Sequence, residues 1–337
     1  MPFELVPPGT KFDFIGKWKI CAAISAVVIA IGLVGLWKPG ARLGVDFAGG
    51  SEMQVRFTGE PPDDAQARIR DVMASLGIPS EGVVRFGETH DYLLKFPGER
   101  QLETEPATEV PAGAPAGGEI TAETDLILKL QNALRERIGP MEVERVEFVG
   151  PKVGEDLRTN GLRAIGISCL LVLIYIAFRF TPRFAPGAIV ALIHDVAVTS
   201  AVWIVFQLEF DLRVLAALLA VLGYSLNDTI VVYDRIRENL ALHTRSDLVD
   251  VLNRSVNETL SRTLLTGVSS LVAVLALLLF GGEVVRPFAL AMLIGIVVGT
   301  YSSVYIASPT LLLLERWRGG RSGGSTAAPR TRATAKA

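Results

Sequence analysis

Six long apolar runs divide this chain, at 20–37, 161–180, 186–206, 212–233, 263–281 and 287–314. Each is near or above the ~20 residues that a helix needs to cross the hydrocarbon layer of a membrane. The first is bracketed by Trp18 and Trp37 and preceded by Lys11, Lys17 and Lys19. It could pass for a signal peptide. It lacks a small-residue cleavage site and is long enough to span, so it reads as an uncleaved first span.

The stretch between the first two runs, 38–160, has another character. A strand pattern over 45–58 is broken by Gly49-Gly50 and continues as alternation at Met53, Val55 and Phe57. Helical spacing follows over 63–76, then two short strands at 83–86 and 92–96. A segment at 98–119, rich in Pro, Ala, Gly and Glu, reads as a mobile insert. A second amphipathic helix over 121–138 and a strand through Val143, Val146, Phe148 and Val149 complete the order β-α-β-β-α-β. The expected architecture is an α-helical polytopic membrane protein of six transmembrane helices. An α+β ferredoxin-like external domain is expected between the first and second spans. Residues 1–19 are expected on the cytoplasmic side, and 315–337 as a disordered basic cytoplasmic tail able to touch anionic lipid.

Composition supports the membrane assignment. Half of the residues are hydrophobic and mean hydropathy is +0.40, while 20% are charged, so part of the chain meets water. A net charge of −2 gives no nucleic-acid signal. Cys21 and Cys169 both lie in apolar runs, which argues against a disulfide or a metal site. There is no Walker loop, no His-Glu-x-x-His and no Gly-x-Ser-x-Gly, so nothing points to an ATPase, a zinc protease or a serine hydrolase. The expectation is a chain that is not an enzyme and needs no cofactor. Basic residues then set orientation. Lys11, Lys17, Lys19, Arg183, Arg235 and Arg254 are among many on the side of the termini, whereas the two short opposite loops hold only Arg213 and Arg286. By the positive-inside rule both termini are cytoplasmic and 38–160 is external.

Candidate chemistry lies inside the spans. An ionisable group within a membrane-length apolar segment is costly and marks a functional site by default. Three occur here: His194 and Asp195 in the third run and Asp228 in the fourth, within the stretch 223–239 (GYSLNDTIVVYDRIREN). Arg262 stands at the entrance to the fifth. A buried carboxylate can carry a proton, and a cation moved toward or away from it would switch it between releasing and binding. The blander readings stay open. Asp228 could join helices by hydrogen bonds with help from Asn227 or Thr229, His194 and Asp195 could neutralise each other, and Arg262 could be a snorkelling end residue. Gly295-x-x-x-Gly299 fits close helix packing. Gly49-Gly50 reads as a bulge or turn, since no helix start follows it to make a phosphate cradle.

Several of these stretches together are similar to one family. GVDFAGGS at 44–51, His194-Asp195-Val196, the 223–239 motif, Ser261-Arg262-Thr263 and GTYSS at 299–303 resemble the SecF family of the SecD–SecF protein-export complex, within the resistance-nodulation-division superfamily. The resemblance runs from about Phe12 to Trp317. It implies a subunit that pairs with SecD, associates with the SecYEG channel and with YajC, and uses the proton-motive force to complete export of precursor proteins. It also implies proton-relay roles for Asp228 and Arg262, with Asp195 carried over beside them. The insert at 98–119 departs from the family pattern. Two other classes stay open: a stand-alone exporter of small molecules or lipids, and a passive scaffold for SecD and the channel.

Overall fold

The structure, a computed structural model, describes residues 10–62, 64–78, 82–85, 90–97, 118–179, 183–243 and 246–322. A 3-10 turn (Ile15–Lys17) leads into α1 (Trp18–Trp37), followed by a single helical turn, α2 (Val45–Ala48). Next come β1 (Gly50–Phe57), α3 (Ala65–Ser75), β2 (Gly82–Arg85), β3 (Asp91–Pro97), α4 (Gly118–Arg137) and β4 (Met141–Val149). Then follow α5 (Pro151–Arg179), α6 (Ala185–Val205), α7 (Leu212–Leu242), α8 (Leu248–Phe280) and α9 (Gly282–Ser302). A π-helical turn (Ser303–Ala307) joins α9 to α10 (Ser308–Ser322). Six helical stretches are long and apolar enough to span a membrane: α1 with its 3-10 turn, α5, α6, α7, α8 and the continuous α9–α10 unit. The chain is a multi-pass membrane protein with a small antiparallel sheet domain between its first and second spans.

The domain is a four-stranded sheet of order β2-β3-β1-β4, every neighbouring pair antiparallel. Alternation in β1 sends Met53, Val55 and Phe57 to one face, where Tyr92, Leu94 and Phe96 of β3 join them. Ile69, Val72 and Met73 of α3 and Leu130 and Leu134 of α4 close over that face, and all are buried. Burying each such side chain contributes ~1.5–3 kcal/mol. The opposite sheet face carries Glu52, Gln54, Leu93 and Lys95 and looks across a cleft of about 560 Å³ toward Glu209, Arg213 and Pro287. A bulge between Gln54 and Val55 offsets β1 against β4.

The Gly-Gly break differs from its sequence reading on one side. Residues before it form a helical turn, not a strand, and only the part from Gly50 is strand. Gly49 and Gly50 take φ of +76° and +148°, which an L side chain resists. The corner also lets α5 close in, because a Cβ on Gly154 would lie 2.9 Å from the Gly49 nitrogen.

Several helices outrun their apolar stretches. α5 starts at Pro151, ahead of the run that begins at 161, so its polar first turns stand between the sheet domain and the membrane. α7 continues to Leu242 and α8 begins at Leu248, and Glu258 of α8 ties their polar ends together through Arg235 (2.7 Å) and Asn239 (2.6 Å). Such charged helix ends are not apolar, so hydropathy alone stops short of them. α10 likewise runs to Ser322, past the expected boundary at 315. Residues 98–117 of the proposed insert and 323–337 of the proposed tail lie outside the described residues.

In the membrane region α6, α7 and the α9–α10 unit form the centre, with half of each span's most apolar window buried, against 11% for α1 and α5. The Gly295-x-x-x-Gly299 pair packs on α7: a Cβ on Gly295 would collide with Val221, and one on Gly299 would lie 2.9 Å from the Ser225 Cβ. At the end away from the sheet, the segment before α1 is pinned to α8. The Asn253 Oδ1 accepts from the amides of Phe14 (3.0 Å) and Ile15 (2.9 Å), and Asn257 Oδ1 from that of Phe12 (2.9 Å).

Candidate functional site

Where α6, α7, α8 and the α9–α10 unit meet, two carboxylates are buried among hydroxyls. Asp195 on α6 is fully inaccessible and Asp228 on α7 is 7% exposed. Thr263 Oγ1 on α8 donates to Asp228 Oδ1 (2.7 Å), and Ser303 Oγ donates to Asp228 Oδ2 (2.5 Å). Asp195 Oδ2 accepts from Ser302 Oγ (2.8 Å) and from Ser225 Oγ on α7. His194 Nδ1 lies 2.9 Å from Asp195 Oδ1. The residues that hold the two carboxylates are adjacent in sequence, Ser302 closing α9 and Ser303 opening the π-turn. π-turns that interrupt α-helices are frequent at functional sites.

Electrostatics sharpens the contrast between the two acids. Asp195 has an imidazole beside it; if Nδ1–H donates to the carboxylate, the Nε2 lone pair is the bare atom, and Nε2 is buried without a partner. That tautomer leaves only an unused acceptor, a smaller cost than an orphaned donor. Asp228 has no ion pair at all with a Lys, Arg or His among the described residues. This carboxylate thus has two neutral donors and no cation beside it.

The structure gathers some of the expected residues and sets others apart. Asp228, Asp195 and His194 share the buried cluster. Thr229 is buried beside it but hydrogen-bonds to neither carboxylate, and Asn227 is exposed on the outer side of α7. Arg262 precedes Thr263, yet its side chain is exposed and lines a cavity of about 690 Å³ with Asp234, Arg235, Glu238 and Glu258. It makes no ion pair with Asp228 in this arrangement. Ser225, Thr263, Ser302 and Ser303 donate to the two carboxylates; the stretches that contain them carry the family resemblance, but pattern reading gave these side chains no role. Their signal was small hydroxyl residues inside apolar runs, which in a membrane act as interhelical glue. Among the described residues no group of three or more His, Cys, Asp or Glu is placed to hold a metal ion.

Six candidate spans, a ferredoxin-like domain after the first and two buried carboxylates where the central helices cross define a polytopic membrane protein. Comparison with known proteins narrows this. Residues 129–317 match the family model described as protein export membrane protein SecD/SecF, C-terminal, and residues 34–60 match the SecD/SecF GG motif. The chain is 40% identical over 323 residues to the protein translocase subunit SecF of Calditerrivibrio nitroreducens, covering 94% of this chain and 98% of that one. It is 38% identical to that of Pseudomonas aeruginosa over 309 residues, covering 90% and 91%. The crystal structure of SecDF, a translocon-associated membrane protein from Thermus thermophilus, superposes with a TM-score of 0.75 at 34% identity. That match covers 94% of this chain and 40% of the solved one. The chain belongs to the SecD/SecF family of protein export membrane proteins.

Proposed function

We propose that the chain is an accessory subunit of the Sec protein translocase which, paired with SecD, uses the proton-motive force to promote late steps of export across the cytoplasmic membrane. Membership in the family and the names of its relatives support the export role. The observation that carries the proton-driven reading is Asp228: a carboxylate in the middle of a span, held by two hydroxyls and no cation. Each proton that crosses contributes ~2.3 kcal/mol per 100 mV, and Asp228 takes and releases it. Arg262 is the cation that tunes it. It sits in the cavity beneath the cluster, on the residue before Thr263, so a shift of α8 would bring it toward the carboxylate or withdraw it. Asp195 and His194 support the path from the α6 side.

The termini are cytoplasmic and the sheet domain external, in keeping with the distribution of Lys and Arg. The sparsely buried faces of α1 and α5 are where lipid or another membrane chain would pack. The superposed chain called SecDF is longer than this one, which covers 40% of it, and we read the remainder as the counterpart of SecD. Association with SecYEG and YajC follows from the same reading, as does action on exported precursors. The chemistry is transport, not covalent catalysis.

The test is completion of precursor export in cells depleted of the native subunit and supplied with wild type, Asp228→Asn or Arg262→Ala at matched levels. Both variants should co-purify with SecD and fail to restore the proton-dependent part of export. Full rescue by Asp228→Asn would make the chain a scaffold and its carboxylate a packing residue.

A further inference from the structure

Of the four hydroxyls that hold the two carboxylates, two have a second acceptor and two do not. Ser303 Oγ is 2.5 Å from Asp228 Oδ2 and 3.0 Å from the Thr300 carbonyl. Ser302 Oγ is 2.8 Å from Asp195 Oδ2 and 3.1 Å from the Gly299 carbonyl. Among the described residues, Thr263 and Ser225 donate only to their carboxylates. A hydroxyl has one hydrogen to give and lone pairs with which to accept. Both serines therefore have two settings, one donating to the carboxylate and one donating back to the helix carbonyl three residues earlier.

We infer that Ser302 and Ser303 are positioning residues that let Asp195 and Asp228 stand both with and without a proton, and that Asp228 carries its proton on Oδ2, against Ser303. The inference rests on the proton-carrying role given above to Asp228. When Asp228 is ionised, Ser303 and Thr263 each donate to one of its oxygens. On uptake the new O–H forms at Oδ2 and donates to Ser303 Oγ, whose own hydrogen turns to the Thr300 carbonyl. Thr263 goes on donating to Oδ1. Release runs the same steps backwards, and in neither state is a buried polar atom left unpaired. Oδ1 offers no such exchange: Thr263, having nowhere else to donate, would face a second hydrogen there. Ser302 has the same choice of acceptors at Asp195, where Ser225 also donates to Oδ2 and the remaining lone pair of a protonated Oδ2 would still receive it. Both serines lie where α9 passes into the π-turn, so one local change of helical register would reach both acids together.

Ionisable groups on the helices packed around Asp228 include His194 and Asp195 on α6, Glu258 and Arg262 on α8, and Tyr301 and Tyr305 on the α9–α10 unit; Tyr224, Tyr233 and Asp234 are among those on its own helix. None of them hydrogen-bonds to it. Its two hydroxyl donors are thus the groups whose loss its protonation should register.

The test is infrared difference spectroscopy on the chain reconstituted with SecD in lipid, following the carboxyl band that Asp228→Asn removes as pH is varied. A hydrogen bond to the ionised form is the stronger of the two it exchanges. Ser303→Ala should therefore move the midpoint of that band upward by about one pH unit or more. Ser303→Thr, which restores a hydroxyl with the same backbone acceptors in reach, should bring it back. An unmoved midpoint in Ser303→Ala overturns the inference, and so does a Thr variant that titrates like Ala. If Ser303→Ala does not assemble with SecD, Ser302→Ala is read in the same way on the band that Asp195→Asn removes. Absence of any band lost in Asp228→Asn would instead overturn the proton-carrying role itself.

Discussion

Asp228 and Asp195 could be picked out from sequence because a carboxylate in an apolar run is conspicuous. What holds them could not be. Asn227, next to Asp228 in the chain, looked like its natural helper, but adjacent residues on a helix point about 100° apart. The structure turns Asn227 outward and recruits Thr263 and Ser303 from other helices. This contrast gives a paired prediction. Asn227→Ala should restore export in depleted cells as wild type does, since no group of the cluster touches it. Thr263→Val keeps the volume but removes the lone donor to Asp228 Oδ1, a loss of ~1.5–3 kcal/mol for a bond to a charged group. That variant should assemble with SecD and export poorly when proton-motive force limits the rate. The reverse ranking would place the working face of α7 on its outer side.

At the scale of elements, the close approach of α7 and α9 brings the serines to the carboxylates. Gly295 lies under Val221 and Gly299 against Ser225, each pair four residues apart, so the two helices meet turn for turn. A side chain at Gly295 must displace Val221, which is fully buried. Gly295→Leu should destabilise the helical core by ~1–3 kcal/mol, the usual cost of overpacking. Thermal unfolding in detergent would show it as a lowered midpoint, with Gly295→Ala falling between Leu and wild type. A Leu variant as stable as wild type would mean that α9 does not press on α7 here. The Gly-x-x-x-Gly spacing was legible, as were the six spans and the order of strands and helices in the domain, because each rests on a period that burial enforces. How far α7 and α8 run past their apolar stretches was not, since ion pairs such as Arg235–Glu258 hold those charged ends and leave no apolar period behind. The π-turn at 303–307 left no mark either: Ser-Val-Tyr-Ile-Ala reads as ordinary helix, and in the fold it packs against α1, α6 and α7.

In the molecule as a whole, the sheet domain is bound to the membrane helices at a defined place. The Gly44 amide donates to the Phe210 carbonyl (2.7 Å), the Phe210 amide to the Arg42 carbonyl (2.8 Å), and the Leu212 amide to Asp46 Oδ2 (3.0 Å). These bonds tie the start of the domain to the α6–α7 loop. Lys95 Nζ then reaches from the sheet face to Glu209 of that loop (2.6 Å) and stands 3.8 Å from Glu52. Any motion passed from the carboxylate cluster through α6 or α7 arrives at this junction, so its charges decide how firmly the domain follows. Glu52 works against the fold there. Burial raises its pKa above the ordinary value of 4.5, and Lys95 and Arg213 pull it back only in part. With the folded value raised, the native state binds the proton more tightly than the unfolded chain. Stability is therefore highest below 4.5 and falls as pH climbs through the raised value. Glu52→Gln removes that cost while Glu209 keeps Lys95 in place. The variant should exchange the β1 amides with deuterium more slowly than wild type at neutral pH, and at the same rate well below 4.5. Faster exchange at neutral pH would mean that the attraction between Glu52 and Lys95 outweighs burial, and that the junction is held by three charges instead of two.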